Sequence, residues 1–249
     1  MILAAALDLD GTIIGVDETI SPKVHAAIAR LAGRMRVFIA TGREPADVLR
    51  YSKELGLTTP QVSDGGANIL DPVRGVSVWT APLGPKNAEA VVTKLREMGS
   101  AFVATHASGT TSTFDGVPNW DLIRVSALDL DEAAADLLAE SFRGNKDMHV
   151  IKAVLPYNGL WAVDFTLAGV DKAAAVARVG KTLGVDPANM VAAGDSYNDL
   201  PMLKACGFAV AMGSAPEEVK AMADFVAPTV EEDGLAVAIN DYVLPNLNP

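Results

Sequence analysis

Apolar residues in this chain fall into two rhythms: short unbroken runs, and stretches that repeat every three or four positions. The two alternate along much of its length. Ile2 to Leu7 is a run of strand length that leads into Asp8-Leu9-Asp10-Gly11-Thr12. Ser21 can cap a helix with Pro22 at its first position, and Val24, Ala27, Ile28 and Leu31 then line one face. Met35 to Ala40 reads as a second strand ending at Thr41-Gly42-Arg43, and a second helix starts near Pro45 with Val48, Leu49 and Leu55 inward. Strand, helix, strand, helix implies a parallel sheet with right-handed crossovers. Gln61 to Leu70 reads as a short strand, a glycine turn and one hairpin arm, with Val76 to Trp79 as the other. At Asp64 a turn former is favoured over a substrate-facing group.

The rhythm changes after Ala81-Pro82-Leu83-Gly84-Pro85, a strongly punctuated stretch. A helix carrying Ala88, Val91, Val92, Leu95 and Met98 precedes strand-like Ala101 to Thr105, Thr110 to Phe114 and Leu122 to Val125. A helix from Asp131 to about Phe142 follows, then Val150 to Leu155 and Leu160 to Phe165 around the Asn158-Gly159 hairpin signal. The alternating pattern then resumes. Lys172 to Leu183 is a helix capped by Asp171, and Met190 to Ala193 is a strand ending at Gly194-Asp195-Ser196-Tyr197-Asn198-Asp199. A helix holding Met202 and Leu203, a strand at Phe208 to Ala211, a helix at Pro216 to Met222, a strand at Phe225 to Ala227 and a helix from about Gly234 complete the chain. The expectation is an α/β core made of residues 1–81 and 166–249, interrupted by an α+β domain at 82–165.

Composition fits that plan. Of the 249 residues half are apolar and a fifth charged, enough for a sizeable core. The net charge of −11 argues against nucleic acid or an anionic membrane as partner. Phosphate would have to be gripped locally, by backbone N–H groups, one or two cations and a metal. Cys206 is the single cysteine, so no intrachain disulfide forms, and it reads as buried filler in a cytoplasmic protein. No run reaches the ~18 apolar residues of a membrane span, and the N-terminus lacks a signal-peptide pattern, so a soluble protein is expected.

The candidate chemistry lies where the core strands end, the usual ligand position of open α/β sheets. Asp8 and Asp10 would share a face if the first strand extended that far. Alone, the pair could equally be an acidic turn capping a helix. Taken with Thr41, Lys172, Asp195 and Asp199, all at strand ends or helix starts, it suggests carboxylates neutralised by a hard cation such as Mg²⁺. Asp8 could then attack phosphorus and form an aspartyl-phosphate. Asp10 could protonate the leaving oxygen and later deprotonate water. Lys172, Thr41 and backbone N–H groups around Leu9, Asp10 and Gly42 would hold the phosphoryl oxygens.

These residues, in order, resemble the four motifs of the haloacid dehalogenase (HAD) superfamily of phosphohydrolases: Asp8-x-Asp10-Gly11-Thr12, Thr41-Gly42-Arg43, Lys172, and Gly194-Asp195-Ser196-x-Asn198-Asp199. The insertion between the second and third motifs resembles the type IIB cap of the Cof-like branch. The resemblance implies a Rossmann-like parallel-sheet core with an α+β cap and an Mg²⁺-dependent phosphomonoesterase. It implies Asp8 as nucleophile, Asp10 as acid/base, and metal ligation by Asp8, the Asp10 main-chain carbonyl and Asp195, with Asp199 acting through a metal-bound water. Thr41, Gly42, Arg43, Lys172 and Asn198 form the expected phosphate- and substrate-binding set. One departure stands out: Gly65-Gly66-Ala67 occupies the place where Cof-like proteins commonly have Asn-Gly-Ala.

A cap of this kind implies a lid and a small phosphorylated metabolite as substrate, such as a sugar phosphate or a phosphoglycolate-like compound. Thr105, His106, Asn119, Trp120, Arg124 and Lys152 are the polar and aromatic residues of the insertion to inspect, each more often a surface or packing residue than a ligand. The alternatives are a phosphomannomutase-like sugar phosphotransferase and a non-catalytic phosphate sensor. The protein is expected as a monomer or homodimer.

Overall fold

The computed structural model of the chain describes residues 1–117, 119–155 and 158–247. The last two residues of the core segment expected to end at 249 lie outside the described residues. The chain folds into two compact units, Met1–Val76 with the chain from Asp171 onward, and Ser77–Val170.

The first unit begins with β1 (Ala4–Leu7), every residue of which is buried. Helix α1 (Pro22–Ala32) follows; Ser21 Oγ accepts a hydrogen bond from Val24 N at 3.2 Å, and Val24, Ala27, Ile28 and Leu31 face the core. Then come β2 (Arg36–Ile39), α2 (Pro45–Glu54) and β3 (Gln61–Ser63). β3 pairs antiparallel with β4 (Asn68–Asp71). β5 (Val76–Thr80) carries the chain out of this unit.

In the second unit, the punctuated stretch ending at Pro85 starts α3 (Pro85–Met98), with Pro85 in the first turn. The strands β6 (Phe102–His106), β7 (Gly109–Thr111), β8 (Leu122–Leu130), β9 (Met148–Val154) and β10 (Trp161–Leu167) form an antiparallel sheet in the order β7-β6-β8-β10-β9. Helix α4 (Glu132–Phe142) packs on it, and Leu95, Phe102, Val125, Leu138, Val163 and Phe165 are core residues. Two strands differ from expectation. β8 runs on to Leu130 because it is paired on both edges, and its polar residues Arg124 and Ser126 are buried rather than marking a strand end. The strand expected to reach Phe114 stops at Thr111; Phe114 opens a single 3₁₀ turn and packs its ring 4.8 Å from that of Phe102.

Back in the first unit, α5 (Lys172–Leu183) starts at an N-cap Asp171 whose side chain accepts from Ala174 N at 2.7 Å. β11 (Met190–Gly194), α6 (Leu200–Ala205), β12 (Phe208–Ala211), α7 (Glu217–Lys220), β13 (Phe225–Val226) and α8 (Gly234–Val237) complete it, α8 passing into a π-helical turn at Ala238–Val243. The parallel sheet has the order β13-β12-β11-β1-β2. Its middle strands β1 and β11 are buried throughout, with alanines beside Leu7, Met190 and Val191, and such uninterrupted burial is what a parallel strand covered on both faces requires. Cys206, following α6, is half-buried, and burial pushes its thiol pKa up to about 12. Among the described residues no helix is long and apolar enough to cross a membrane.

Candidate active site

Strand register puts the expected site residues side by side. Leu7 on β1 pairs with Ile39 on β2 and with Ala193 on β11, so Asp8, Thr41 and Asp195 each lie just past a strand end at the same level of the sheet. The ladder continues one step beyond the strands: Asp8 N donates to Ala193 O at 2.9 Å, and Ala40 N donates to Leu7 O at 2.8 Å. β1 stops at Leu7, so the shared strand face proposed for Asp8 and Asp10 is not how they are arranged. The chain turns instead, with Gly11 N bonded to Ile14 O at 2.8 Å and Gly11 at φ +70°. A Cβ at Gly11 would overlap the Asp195 carboxylate, so only glycine lets this turn close against the end of β11.

Lys172, the first residue of α5, lies 2% exposed between two carboxylates. Its Nζ donates to Asp8 Oδ1 at 2.5 Å and to Asp199 Oδ1 at 2.6 Å. Asp199 is fully buried, and its Oδ2 accepts from Asp195 N and Ser196 N, both at 3.1 Å, and from Ser196 Oγ at 3.3 Å. Both Asp199 oxygens are thus spent on protein donors; the residue anchors Lys172 and folds the turn after β11. Asp8, Asp195 and Asp199 each offer a carboxylate oxygen, all within 4.8 Å of one another. The Asp10 side chain is not part of this group.

Three carboxylates around one ammonium leave negative charge in excess. Burial raises the Asp8 pKa well above the ordinary carboxylate range, and Asp199 adds to the effect while Lys172 opposes it. Burial, with Asp199 next, brings Asp195 up to about 7. For Lys172 burial works against the charged form, but Asp199 and Asp8 outweigh it and its pKa rises. A hard divalent cation would relieve this imbalance, and an all-oxygen set without histidine or cysteine suits Mg²⁺ or a similar ion. The cluster could therefore hold the metal that the motifs imply, through Asp8 and Asp195.

The other expected residues are placed as follows. Thr41 is buried, and its Oγ1 accepts from Arg43 N at 3.2 Å. Gly42 lies between them, half-buried. Asn198 is half-buried and its Oδ1 accepts from Ser196 Oγ at 2.8 Å, on the turn that also holds Asp199. Arg43 faces Asp10: Nε is 3.0 Å from both Asp10 oxygens, and Nη2 donates to Asp10 Oδ1 at 2.7 Å. The same guanidinium reaches Glu18 Oε1 at 2.7 Å and Asp47 Oδ2 at 3.2 Å.

Three residues that the sequence did not single out for the site belong to its surroundings. Glu18 and Asp47 brace Arg43; of the two, only Asp47 carries a sequence signal, its i,i+4 spacing from Arg43 at a helix start. Thr12, within the first motif, is buried with no hydrogen-bond partner for Oγ1 among the described residues. Asp64 is a buried turn residue at φ +53°, whose Oδ2 accepts from Ser63 Oγ at 2.9 Å. The departure at Gly65 has a backbone explanation: φ is +65° there, a region that glycine and asparagine both visit. The exchange keeps the turn and removes a side chain. Gly66, at φ +107°, lies so close to the start of α5 that a Cβ would overlap the Asp171 carbonyl, one residue before Lys172.

Comparison with known proteins gives a consistent picture. A family model described as haloacid dehalogenase-like hydrolase matches residues 5–133 and 122–239. A 5-amino-6-(5-phospho-D-ribitylamino)uracil phosphatase from Bacillus subtilis is 28% identical over 243 residues, covering 96% of this chain and 95% of the relative. A phosphoglycolate phosphatase from Natronomonas pharaonis is 28% identical over 240 residues, covering 96% and 97%. Among solved structures, a haloacid dehalogenase-like hydrolase from Bacteroides thetaiotaomicron superposes with a TM-score of 0.83 at 22% identity, over 97% of this chain and 99% of that one.

Proposed function

Because the chain belongs to the haloacid dehalogenase-like hydrolases, in the Cof-like branch, we propose that it is a Mg²⁺-dependent phosphatase of small phosphomonoesters acting through an aspartyl-phosphate on Asp8. The observation that carries this reading is the bridge from Lys172 Nζ to Asp8 Oδ1 and Asp199 Oδ1 beside Asp195, an oxygen cluster one cation short of balance.

Asp8 and Asp195 would hold the cation, which when bound screens the phosphate charge and polarises its oxygens. Asp8 supplies the attacking oxygen, and Lys172 together with the cation would favour its ionised form, Lys172 also offsetting charge on the phosphoryl group. Thr41 Oγ1, the backbone around Gly42 and Asn198 would bind the remaining phosphoryl oxygens. Asp10 gives a proton to the leaving oxygen and takes one from the water that frees Asp8.

The two named relatives act on small phosphomonoesters, which supports the substrate class, and both are hydrolases, which favours transfer to water over transfer to a second sugar hydroxyl. Sugar phosphates and phosphoglycolate-like metabolites are the candidates, with residues 82–165 as the segment that selects among them. One half-buried thiol without a disulfide partner is compatible with a reducing cytoplasm. A panel of small phosphate esters assayed for phosphate release tests the proposal. Turnover should require Mg²⁺, vanish with EDTA, and fall by about a thousandfold or more in Asp8→Asn; turnover that survives either change contradicts it.

A further inference from the structure

Arg43 was expected among the substrate-binding residues, yet its guanidinium is engaged within its own unit. Four contacts hold it: Nε between the two Asp10 oxygens, Nη2 on Asp10 Oδ1, Nη2 on Glu18 Oε1, and Nη1 on Asp47 Oδ2. The Arg43 side chain is 18% exposed, so this is a partly desolvated cluster rather than a surface pair. The residue is tied at its backbone too, with N donating to Thr41 Oγ1 at 3.2 Å and O accepting from Asp64 N at 2.9 Å.

The bracing residues are themselves held. Asp47 lies in the first turn of α2, where its charge is favoured by the helix end, and also accepts from Arg50 Nη2 at 3.3 Å. Arg50 Nη2 donates to Tyr51 Oη at 2.8 Å, and Tyr51 Oη donates to the Glu18 backbone oxygen at 2.9 Å. Tyr51 is fully buried. Glu18 stands at φ +57°, a left-handed conformation costly for a side-chain-bearing residue unless its surroundings hold it.

We propose that Arg43 is a positioning residue for the acid/base Asp10, with Glu18 and Asp47 fixing the guanidinium that fixes the carboxylate. A planar guanidinium gripping a carboxylate through two nitrogens sets orientation as well as distance, which an ammonium cannot do. Asp10 stands beyond the end of β1 at Leu7, its backbone held by an isolated bridge to Ile14, which does not fix the carboxylate. Arg43 supplies the missing constraint from the loop after β2. The inference rests on the reading of Asp10 as proton donor to the leaving group.

Leaving-group dependence separates this role from the alternatives. The ratio kcat/KM covers the steps through departure of the leaving group. An alkyl phosphate needs a proton from Asp10 in those steps, whereas p-nitrophenyl phosphate, with a good leaving group, needs little help. For Arg43→Ala and Arg43→Lys the proposal predicts that kcat/KM falls by about tenfold or more on an alkyl phosphate and only a few-fold on p-nitrophenyl phosphate, general acid catalysis being worth ~10²–10⁴ in all. Turnover number should fall on both, because both share the later attack of water. Asp10→Asn, run in parallel, should show the same split more steeply.

An equal loss of kcat/KM on both substrates in the Arg43 variants would make Arg43 a phosphate ligand and overturn the inference. Unchanged kinetics on the alkyl phosphate would overturn it as well. If Asp10→Asn shows no split, the acid/base reading beneath it fails instead. Should Arg43→Ala fail to fold, Arg43→Lys keeps the charge and decides the matter, with kcat/KM on p-nitrophenyl phosphate, expected to fall only a few-fold, reporting that the site is intact.

Discussion

Both units bury charged groups, and they do so in opposite ways. In the second, Arg124 on β8 meets Asp164 on the neighbouring β10 at 3.4 Å, cation against anion across one sheet, with side chains 9% and 23% exposed. In the first, Lys172 alone lies between Asp8 and Asp199 with Asp195 beside them. Pairing of the first sort is what a fold needs to bury a charge at all. A surplus of carboxylates does not help the fold: burial, with the neighbouring carboxylates adding to it, raises the pKa of Asp8 and Asp195 and leaves room for a further cation. The difference marks the candidate site.

Changes to the two clusters should therefore have different consequences. The largest effect is expected from Lys172→Met, which leaves two buried carboxylates without their shared donor. Urea unfolding should show a loss of ~3–5 kcal/mol, the cost of breaking a buried pair by removing one partner. Phosphate release should fall by about a hundredfold or more. A variant that kept its stability and activity would show that Lys172 is a solvated helix residue after all.

A second effect concerns pH. Asp195 has a folded-state pKa of about 7, above its unfolded value, so the metal-free protein holds an extra proton between the unfolded value and 7. The stability this contributes is present at low pH and is lost as pH rises through 7. Metal binding must displace that proton. Asp8, whose pKa is also raised, must lose its proton as well, so the apparent Mg²⁺ affinity, read by calorimetry, should rise by about tenfold or more per pH unit below 7. An affinity flat from pH 5 to 8 would mean that Asp195 is not a ligand.

The smallest effect belongs to the second unit. Arg124→Met should cost ~1–2 kcal/mol, less than a fully buried pair because Asp164 keeps part of its hydration, and lower the melting temperature by a few degrees. Mg²⁺ affinity should not change. A drop in Mg²⁺ affinity in this variant would erase the distinction between the two clusters.

The sequence showed some parts of this molecule more clearly than others, for physical reasons. The parallel strands were legible because burial on both faces leaves continuous apolar runs such as Ala4 to Leu7. The site residues were legible because each stands where such a run stops. β8 was read five residues short because Arg124, Ser126 and Asp129 interrupt the apolar pattern, and pairing on both edges is a tertiary fact. The role of Arg43 was hidden for a similar reason. Its partners Asp10 and Glu18 lie 33 and 25 positions away, and nothing local announces a bidentate contact at that range. Gly65 was visible as a departure, but that it keeps the turn was legible only from its φ of +65°.

Phosphorylation of Asp8 during turnover is the step on which the proposed chemistry depends. It is tested by acid-quenching the Mg²⁺-loaded enzyme while it hydrolyses a small phosphomonoester, digesting it, and mapping phosphate by mass spectrometry. A phosphate is expected on the peptide carrying Asp8, absent with EDTA and in Asp8→Asn, and, with p-nitrophenyl phosphate as substrate, more abundant in Asp10→Asn, where water attack on the acyl phosphate is slowed. Sustained turnover with Asp8 unmodified, or with the phosphate on another residue, would contradict it.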